Sequence, residues 1–335
     1  MHETTVNKNL LAIYRTIYDT PLQTLIKYGQ LKSDRHYNKN TGNVLFKEYW
    51  AYDFYRITDY FIFPQRMRCE FESHGSPFSK YSDIIAQDFM KKPSNQSRNV
   101  ILQMQKEKNC SLLHFNRIVL LYKELLGNKK NVKVLDSSAG WGDRLIASML
   151  YGISEYVAYD PNKKLEGGHA EMFDYFIKNK LFGYYSNNVC SEPKRSDYKI
   201  YYSNFEYSYP NEFKYLNYFD ICVSSPPFFA KEIYSFKKGQ SIMSYPTLLE
   251  WIDNFLVASF IKALTFISHG GYLCWYIEDM RDKKCEFMPV FLEKVSRVPI
   301  CKKIHQIGFD YKEINKHLGQ KYATKERYFH IWQKL

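Results

Sequence analysis

Apolar positions recur along the chain with two different periods, and the change of period divides it. In the first part they recur every three or four residues: Leu10, Leu11, Tyr14, Ile17 and Tyr18 share one helical face. "DTPLQTLIKYG" restarts a helix, with Thr20 as cap, Pro21 in the first position, Gln23 completing a capping box and Gly29 as the stop. The polar stretch "LKSDRHYNKNTGN" reads as a basic loop, and "EYWAYDFYRITDYFIFPQRMR" is rich in aromatics. The run "KKPSNQSRN" at residues 91–99 reads as a linker, and "LLHFNRIVLLYKELLG" as a helix ending near Gly127.

Beyond Gly127 short apolar runs alternate with helical periods. "VKVLD", "YVAYD", "KIYYS", "FDICVSS" and "YLCWYI" have the length and β-branched or aromatic content of buried strands. "GDRLIASMLYG", residues 162–179 and "TLLEWIDNFLVASFIKALTFISHGG" read as the intervening helices, the last with a glycine stop. "KKIHQIGF" and "RYFHIWQKL" predict a closing hairpin. Repeated βα units imply an α/β fold, a mainly parallel sheet covered by helices, with ligands at the carboxyl ends of its strands. The expected division is a mostly helical extension over 1–95, a candidate for nucleic-acid contact, and an α/β domain over 96–335.

Composition narrows the function. The formal charge of +12 favours a polyanionic partner. Aromatics reach 18%, but Tyr, Asn, Lys and Ile are abundant together, as in AT-rich coding, so aromatic content alone marks no stacking surface. The seven cysteines are scattered without a C-x-x-C pair, which argues against a disulfide framework or a metal centre and for a reducing compartment. The first residues carry no signal-peptide apolar core and no apolar run is long enough to span a bilayer, so no membrane partner is expected. The expected location is intracellular: cytoplasm, or host cytoplasm or nucleus for a viral chain.

The first chemical motif is "VLDSSAGWGDRLIASML": strand, glycine turn, helix. Gly140 and Gly142, with Ser138 in the same turn, let backbone approach a ligand, and the helix start favours an anionic group. Leu145 stands where a dinucleotide fingerprint needs its third glycine, which argues against a diphosphate ligand. Asp160 ends the next strand and suits the two hydroxyls of a ribose. S-adenosylmethionine meets both constraints, with Asp136 as a candidate acceptor for its ammonium group. Asn204 and Phe205, after the third strand, are candidates for its adenine. Asp143 reads as a first-turn residue favoured by the helix dipole.

The second motif is "FDICVSSPPFFAKEIY", a core strand that ends in a kinked corner. Two prolines fix the backbone there and supply no N–H. Such a corner is a rigid place to present the Ser225 hydroxyl, backbone carbonyls and the Phe228 ring at a strand end.

"DICVSSPPFF" resembles motif IV of the amino-methyltransferases, the (D/N/S)-P-P-(Y/F/W) corner; "VLDSSAGWGDRL" resembles their motif I and "AYDPN" their acidic motif II. "SSPPFFAKEIYSFKKGQSIMSYPTLLEWIDNFL" is similar to phage- and virus-type DNA methylases acting on cytosine N4 or adenine N6, over roughly residues 130–280. The resemblance implies a Rossmann-like class I methyltransferase fold, a mainly parallel seven-stranded sheet with a C-terminal antiparallel hairpin, and S-adenosylmethionine as cofactor. It implies that Ser225 Oγ and the Pro226 carbonyl accept from an exocyclic amine, with Pro227 stiffening the corner and Phe228 stacking on an extruded base, and it leaves the target base open. "ESHGSPF" at residues 72–78 is a candidate analogue of the cofactor-holding motif X.

For the nucleic acid, Lys237 and Lys238 are candidate phosphate contacts, and Gln240 and Ser241 candidate base contacts, in a polar loop over the site. Lys32, Arg35, Lys39 and Lys47 form a second candidate phosphate surface. DNA is the expected polymer. RNA, or a catalytically degenerate nucleic-acid-binding subunit, is the alternative, and a protein partner or second copy stays open.

Overall fold

The structure is a computed structural model, and it describes residues 2–28, 31, 33–39, 41–48, 54–69, 75–81, 84, 95–106, 110, 112–186, 191–207, 209–230, 234, 239–279, 286–313 and 323–335. Its parallel core is built from β3 (Lys133–Asp136), β4 (Glu155–Tyr159), β5 (Tyr198–Tyr201), β6 (Phe219–Ser224) and β7 (Ile267–Tyr276). The strands lie in the order β5-β4-β3-β6-β7, each pair parallel. β3, β4 and β6 are buried almost throughout, so they read as continuous apolar runs with no alternation.

The closing hairpin follows as expected, with β9 (Ile307–Glu313) and β10 (Ala323–Lys334) antiparallel, and β10 antiparallel to β7. The run β5-β4-β3-β6-β7-β10-β9 thus has one reversed strand, the arrangement expected of a Rossmann-like class I methyltransferase fold. The sheet is wider than the seven strands expected. β8 (Cys301–Lys303) pairs with β10, and β1 (Ser33–Tyr37) and β2 (Val44–Glu48) form a hairpin whose second strand runs parallel to β9.

That hairpin corrects the reading of "LKSDRHYNKNTGN" as a loop. Its Asn and Gly make the turn, and Val44, Leu45 and Phe46, buried beside β9, secure the pairing. The linker reading of 91–99 is corrected over 95–99, while 91–94 lie outside the described residues. A helix spans Asn95–Lys106, because Val100, Ile101 and Met104 form a face that packs with Leu10, Tyr14, Phe63 and Met67. Its polar first turn lies outside that face. The domain boundary drawn at 95/96 falls at its start.

The helices that frame the site are α1 (His2–Ile17), α2 (Pro21–Tyr28), α3 (Tyr55–Arg66), α4 (Asn95–Lys106), α5 (Phe115–Leu126), α6 (Asp143–Tyr151) and α7 (Glu166–Lys178). α3 lies against α7 so closely that a Cβ on Gly168 would meet Ile62 Cγ2 at 2.4 Å. The helix before β7, Ala258–Phe266, does not end at the glycines. β7 begins at Ile267, and Gly270 and Gly271 form an irregularity inside it, where a Cβ on Gly271 would touch the Asp220 carbonyl of β6 at 2.8 Å. Among the described residues no helix is long and apolar enough to cross a membrane, and no cluster of three or more His, Cys, Asp or Glu could hold a metal ion.

Candidate functional site

A cavity of about 890 Å³ opens at the carboxyl ends of the parallel strands. Ser138, Gly140 and Trp141 enter it after β3, Asp160 after β4, and Asn204, Phe205 and Glu206 after β5. Ser225, Pro226, Pro227 and Phe228 enter after β6, and Tyr276 from the end of β7. Gln240 and Ser241 complete the wall. The residues of both sequence motifs therefore meet in one space.

The glycine turn is held by a short chain of hydrogen bonds. Gly140 and Gly142 have φ of 56° and 98°, in the left-handed region that a side chain disfavours. A Cβ on Gly142 would also lie 2.5 Å from Met172 Sδ. The Ala139 N–H donates to the Tyr159 carbonyl and the Gly140 N–H to Asp160 Oδ2, both at 2.8 Å. His169 Nε2 lies 3.0 Å from the Gly140 carbonyl and Nδ1 3.1 Å from Tyr202 Oη. Burial pushes the His169 imidazole down to about 4, so near neutral pH it is uncharged. A carbonyl only accepts, so Nε2 carries the proton and Nδ1 accepts from Tyr202.

Asp160 faces the cavity with its carboxylate partly engaged. Oδ1 accepts from the Asn162 N–H at 2.8 Å, and Oδ2 from Gly140. Burial lifts its carboxyl to about 6 against the opposing effect of those two N–H groups. Each oxygen keeps one further lone pair for a ligand hydroxyl.

Asp136 is a correction. It is fully buried and is not on the cavity wall. Oδ1 accepts from the Ser138 N–H and Ser224 Oγ at 3.0 and 2.9 Å. Oδ2 accepts from Arg144 Nε and Tyr156 Oη at 2.6 and 2.8 Å. Four donors saturate the carboxylate, leaving nothing for an ammonium group. Asp136 instead ties β3, β4, β6 and α6 together beneath the turn. Gly142 likewise shapes the turn from behind the wall.

Asn204 Nδ2 donates to Glu206 Oε1 and to the Gly239 carbonyl, each at 3.1 Å. Glu206, which the sequence reading missed, is the carboxyl on this part of the wall, and burial raises it above the usual carboxylate range. Its position two residues past Asn204 was the available signal. Phe205 packs edge-on to Tyr159 at 5.0 Å, below Lys262 at 4.7 Å, and is buried.

The proline corner is fastened at its first residue. Ser225 Oγ donates to the Tyr276 carbonyl at 3.0 Å, and Tyr276 Oη accepts from Arg117 Nη1 at 3.3 Å. With its proton committed, Ser225 Oγ can only accept toward the cavity. Phe228 is 9% exposed and forms a floor more than a free face. Ser241 is buried under Trp251, whose Nε1 donates to Ser241 Oγ at 3.0 Å, and Gln240 is buried beside it.

Other expected contacts stand elsewhere. Lys237, Lys238 and Lys32 lie outside the described residues. Arg35 sits on β1 and is engaged by Glu124, at 3.0 Å from Nε and 2.6 Å from Nη2, so it is not a spare phosphate contact. Of "ESHGSPF", the described part caps a helical turn, Ser76 accepting from the Ser79 N–H. Phe78 lies 3.7 Å under Arg68, which reaches the cavity.

The N-terminal segment contributes more than the sequence indicated. Asn7, Gln65 and Arg68 are on the cavity wall. Thr58 Oγ1 donates to Asp143 Oδ1 at 2.9 Å, within a buried set that includes the Asp59–Arg66 ion pair. Burial lifts the Asp143 carboxyl to about 7. No local pattern marked Thr58, since its partner Asp143 is 85 residues away in sequence.

No protein-family model and no curated protein matches the chain. Solved structures with a partial likeness include an rRNA methylase from Streptococcus thermophilus (13% identity, TM-score 0.37, covering 67% of this chain and 99% of that one). Another is TrmN from Thermus thermophilus (14%, 0.37, 65% and 48%). A third is a SAM-dependent O-methyltransferase from Thermotoga maritima (11%, 0.38, 72% and 72%). At these identities and scores the likeness carries no information on substrate.

Proposed function

We propose that this chain transfers a methyl group from S-adenosylmethionine to the exocyclic amine of a nucleobase, cytosine N4 or adenine N6, in DNA. The observation that carries the reading is the shared cavity. The glycine turn with Asp160 and the Ser225–Phe228 corner open into it from β3, β4 and β6, which are neighbours in the sheet.

The wall suits the cofactor. Asp160 retains acceptor capacity for ribose hydroxyls, Glu206 and Asn204 offer polar atoms to an adenine edge, and the positive-φ turn exposes backbone at Gly140. When bound, the cofactor supplies an electrophilic methyl on a sulfonium. The chain's part is to orient the acceptor nitrogen. An exocyclic amine is a weak nucleophile because its lone pair is delocalised into the ring. Ser225 Oγ and the Pro226 carbonyl accept hydrogen bonds from its two N–H groups and turn the lone pair outward. Positioning of this kind lowers a barrier by several kcal/mol without a basic residue. The amine nitrogen bonds the methyl as the methyl's bond to sulfur breaks, and the methylated amine, then cationic and acidic, loses one proton to water.

Labelled methyl transfer tests the reading. Duplex DNA, single-stranded DNA and RNA are offered in parallel, followed by nucleoside analysis. N4-methylcytosine or N6-methyladenine in DNA is the expected product. Label in RNA alone would reassign the polymer, and label in neither would overturn the reading.

A further inference from the structure

We infer that Trp141 is the second aromatic wall of the nucleobase site, opposite the proline corner. This rests on the proposed function and names a substrate contact within it. Trp141 stands between Gly140 and Gly142, on the loop leaving β3. The corner with Phe228 leaves β6, and β3 and β6 are adjacent parallel strands. The two loops therefore rise side by side from one edge of the cavity, and Trp141 and Phe228 both line it.

Tyr234, six residues past Phe228, is a third aromatic on the wall. Its ring meets Trp141 at 5.8 Å and 73°, an edge-to-face pair, and it lines the same cavity. Three aromatic rings thus line the cavity that Ser225 and Pro226 also line.

Trp141 is only partly committed to the fold: it is half-buried and packs against the edge of the main core, and the rest of its ring faces the cavity, where it meets Tyr234. By contrast Trp251, Trp275 and Trp332 are all buried in the second core cluster. A large apolar ring left partly exposed on the wall of this cavity is better placed when a flat ligand covers it. Phe228 is almost wholly buried and offers little area alone, so a base seated at the corner needs a second ring to stack against.

The test is fluorescence and kinetics on the full chain, with a short single-stranded DNA containing all four bases as probe and S-adenosylhomocysteine as the cofactor-site ligand. DNA should quench tryptophan emission in the wild type, and Trp141→Phe should lose most of that quenching while keeping KM for DNA within a few-fold. Trp141→Ala should raise KM for DNA about tenfold or more, the effect expected of one stacked base. Affinity for S-adenosylhomocysteine, by calorimetry, should be unchanged in both. Undiminished quenching in Trp141→Phe overturns the inference. So does a tenfold loss of S-adenosylhomocysteine affinity, which would assign the ring to the cofactor. Failure of the wild type to bind DNA or RNA overturns the proposed substrate, and this inference with it.

Discussion

At the scale of single residues, the hydrogen-bond partners set the size of each expected effect. Ser225 offers the amine one neutral acceptor, so Ser225→Ala should lower kcat modestly, by about 0.5–1.5 kcal/mol of barrier, and leave cofactor affinity unchanged. Steady-state kinetics beside calorimetry separates the two, and a lost cofactor affinity would place Ser225 elsewhere. Asp160→Ala removes a carboxylate that braces Gly140 and faces the cavity. S-adenosylmethionine affinity should fall at least tenfold, about the 1.5–3 kcal/mol of one charged hydrogen bond, and unchanged calorimetry would remove Asp160 from the site. Asp143 makes a pH prediction. Its carboxyl titrates near 7 in the fold against 3.8 when exposed. Between those values the folded chain holds more protons than the unfolded one, so this group's contribution to stability is lost as pH rises. Asp143→Asn keeps an acceptor for Thr58 and abolishes the titration. The melting temperature of the variant relative to wild type should rise from about pH 4 to about pH 8. A constant difference would mean that the carboxyl is ionised in the fold throughout.

At the scale of elements, the packing of α3 on α7 ties the N-terminal segment to the turn that carries Gly140. α3 supplies Thr58 and Gln65 on one side, and α7 supplies His169 on the other. Gly168 is where the two helices approach most closely, with no room for a Cβ beside Ile62. Gly168→Ala should therefore cost about 1–3 kcal/mol of stability, the usual cost of overpacking, and weaken cofactor affinity alongside. Thermal melts read the first and calorimetry the second; a variant as stable as wild type would show that α3 is free to shift. The glycine-rich start of α7 could be read from the sequence. The helix it accommodates could not, because Ile62 is about a hundred residues away and shares no local pattern with it.

At the scale of the whole molecule, the +12 charge makes the expected association with a polyanion salt-dependent. The logarithm of DNA affinity should fall linearly with the logarithm of salt concentration, by about 0.9 per phosphate contacted, and salt-independent binding would rule out an electrostatic surface. What the sequence by itself determined is what depends on neighbours along the chain. Buried parallel strands show as apolar runs, a turn at positive φ calls for Gly140 and Gly142, and two prolines stiffen the corner after Ser225. The order of these pieces was enough to predict the sheet and the end of it where ligands bind. Tertiary structure alone decided which polar groups remain available, because that depends on partners brought together by strand register. Asp136 looked like a free carboxylate at a strand end. It is saturated because β3 lies between β4 and β6, which carry Tyr156 and Ser224 to it, while α6 adds Arg144. "LKSDRHYNKNTGN" looked like a loop because its hairpin gains a buried face only by pairing β2 with β9, more than 250 residues along the chain.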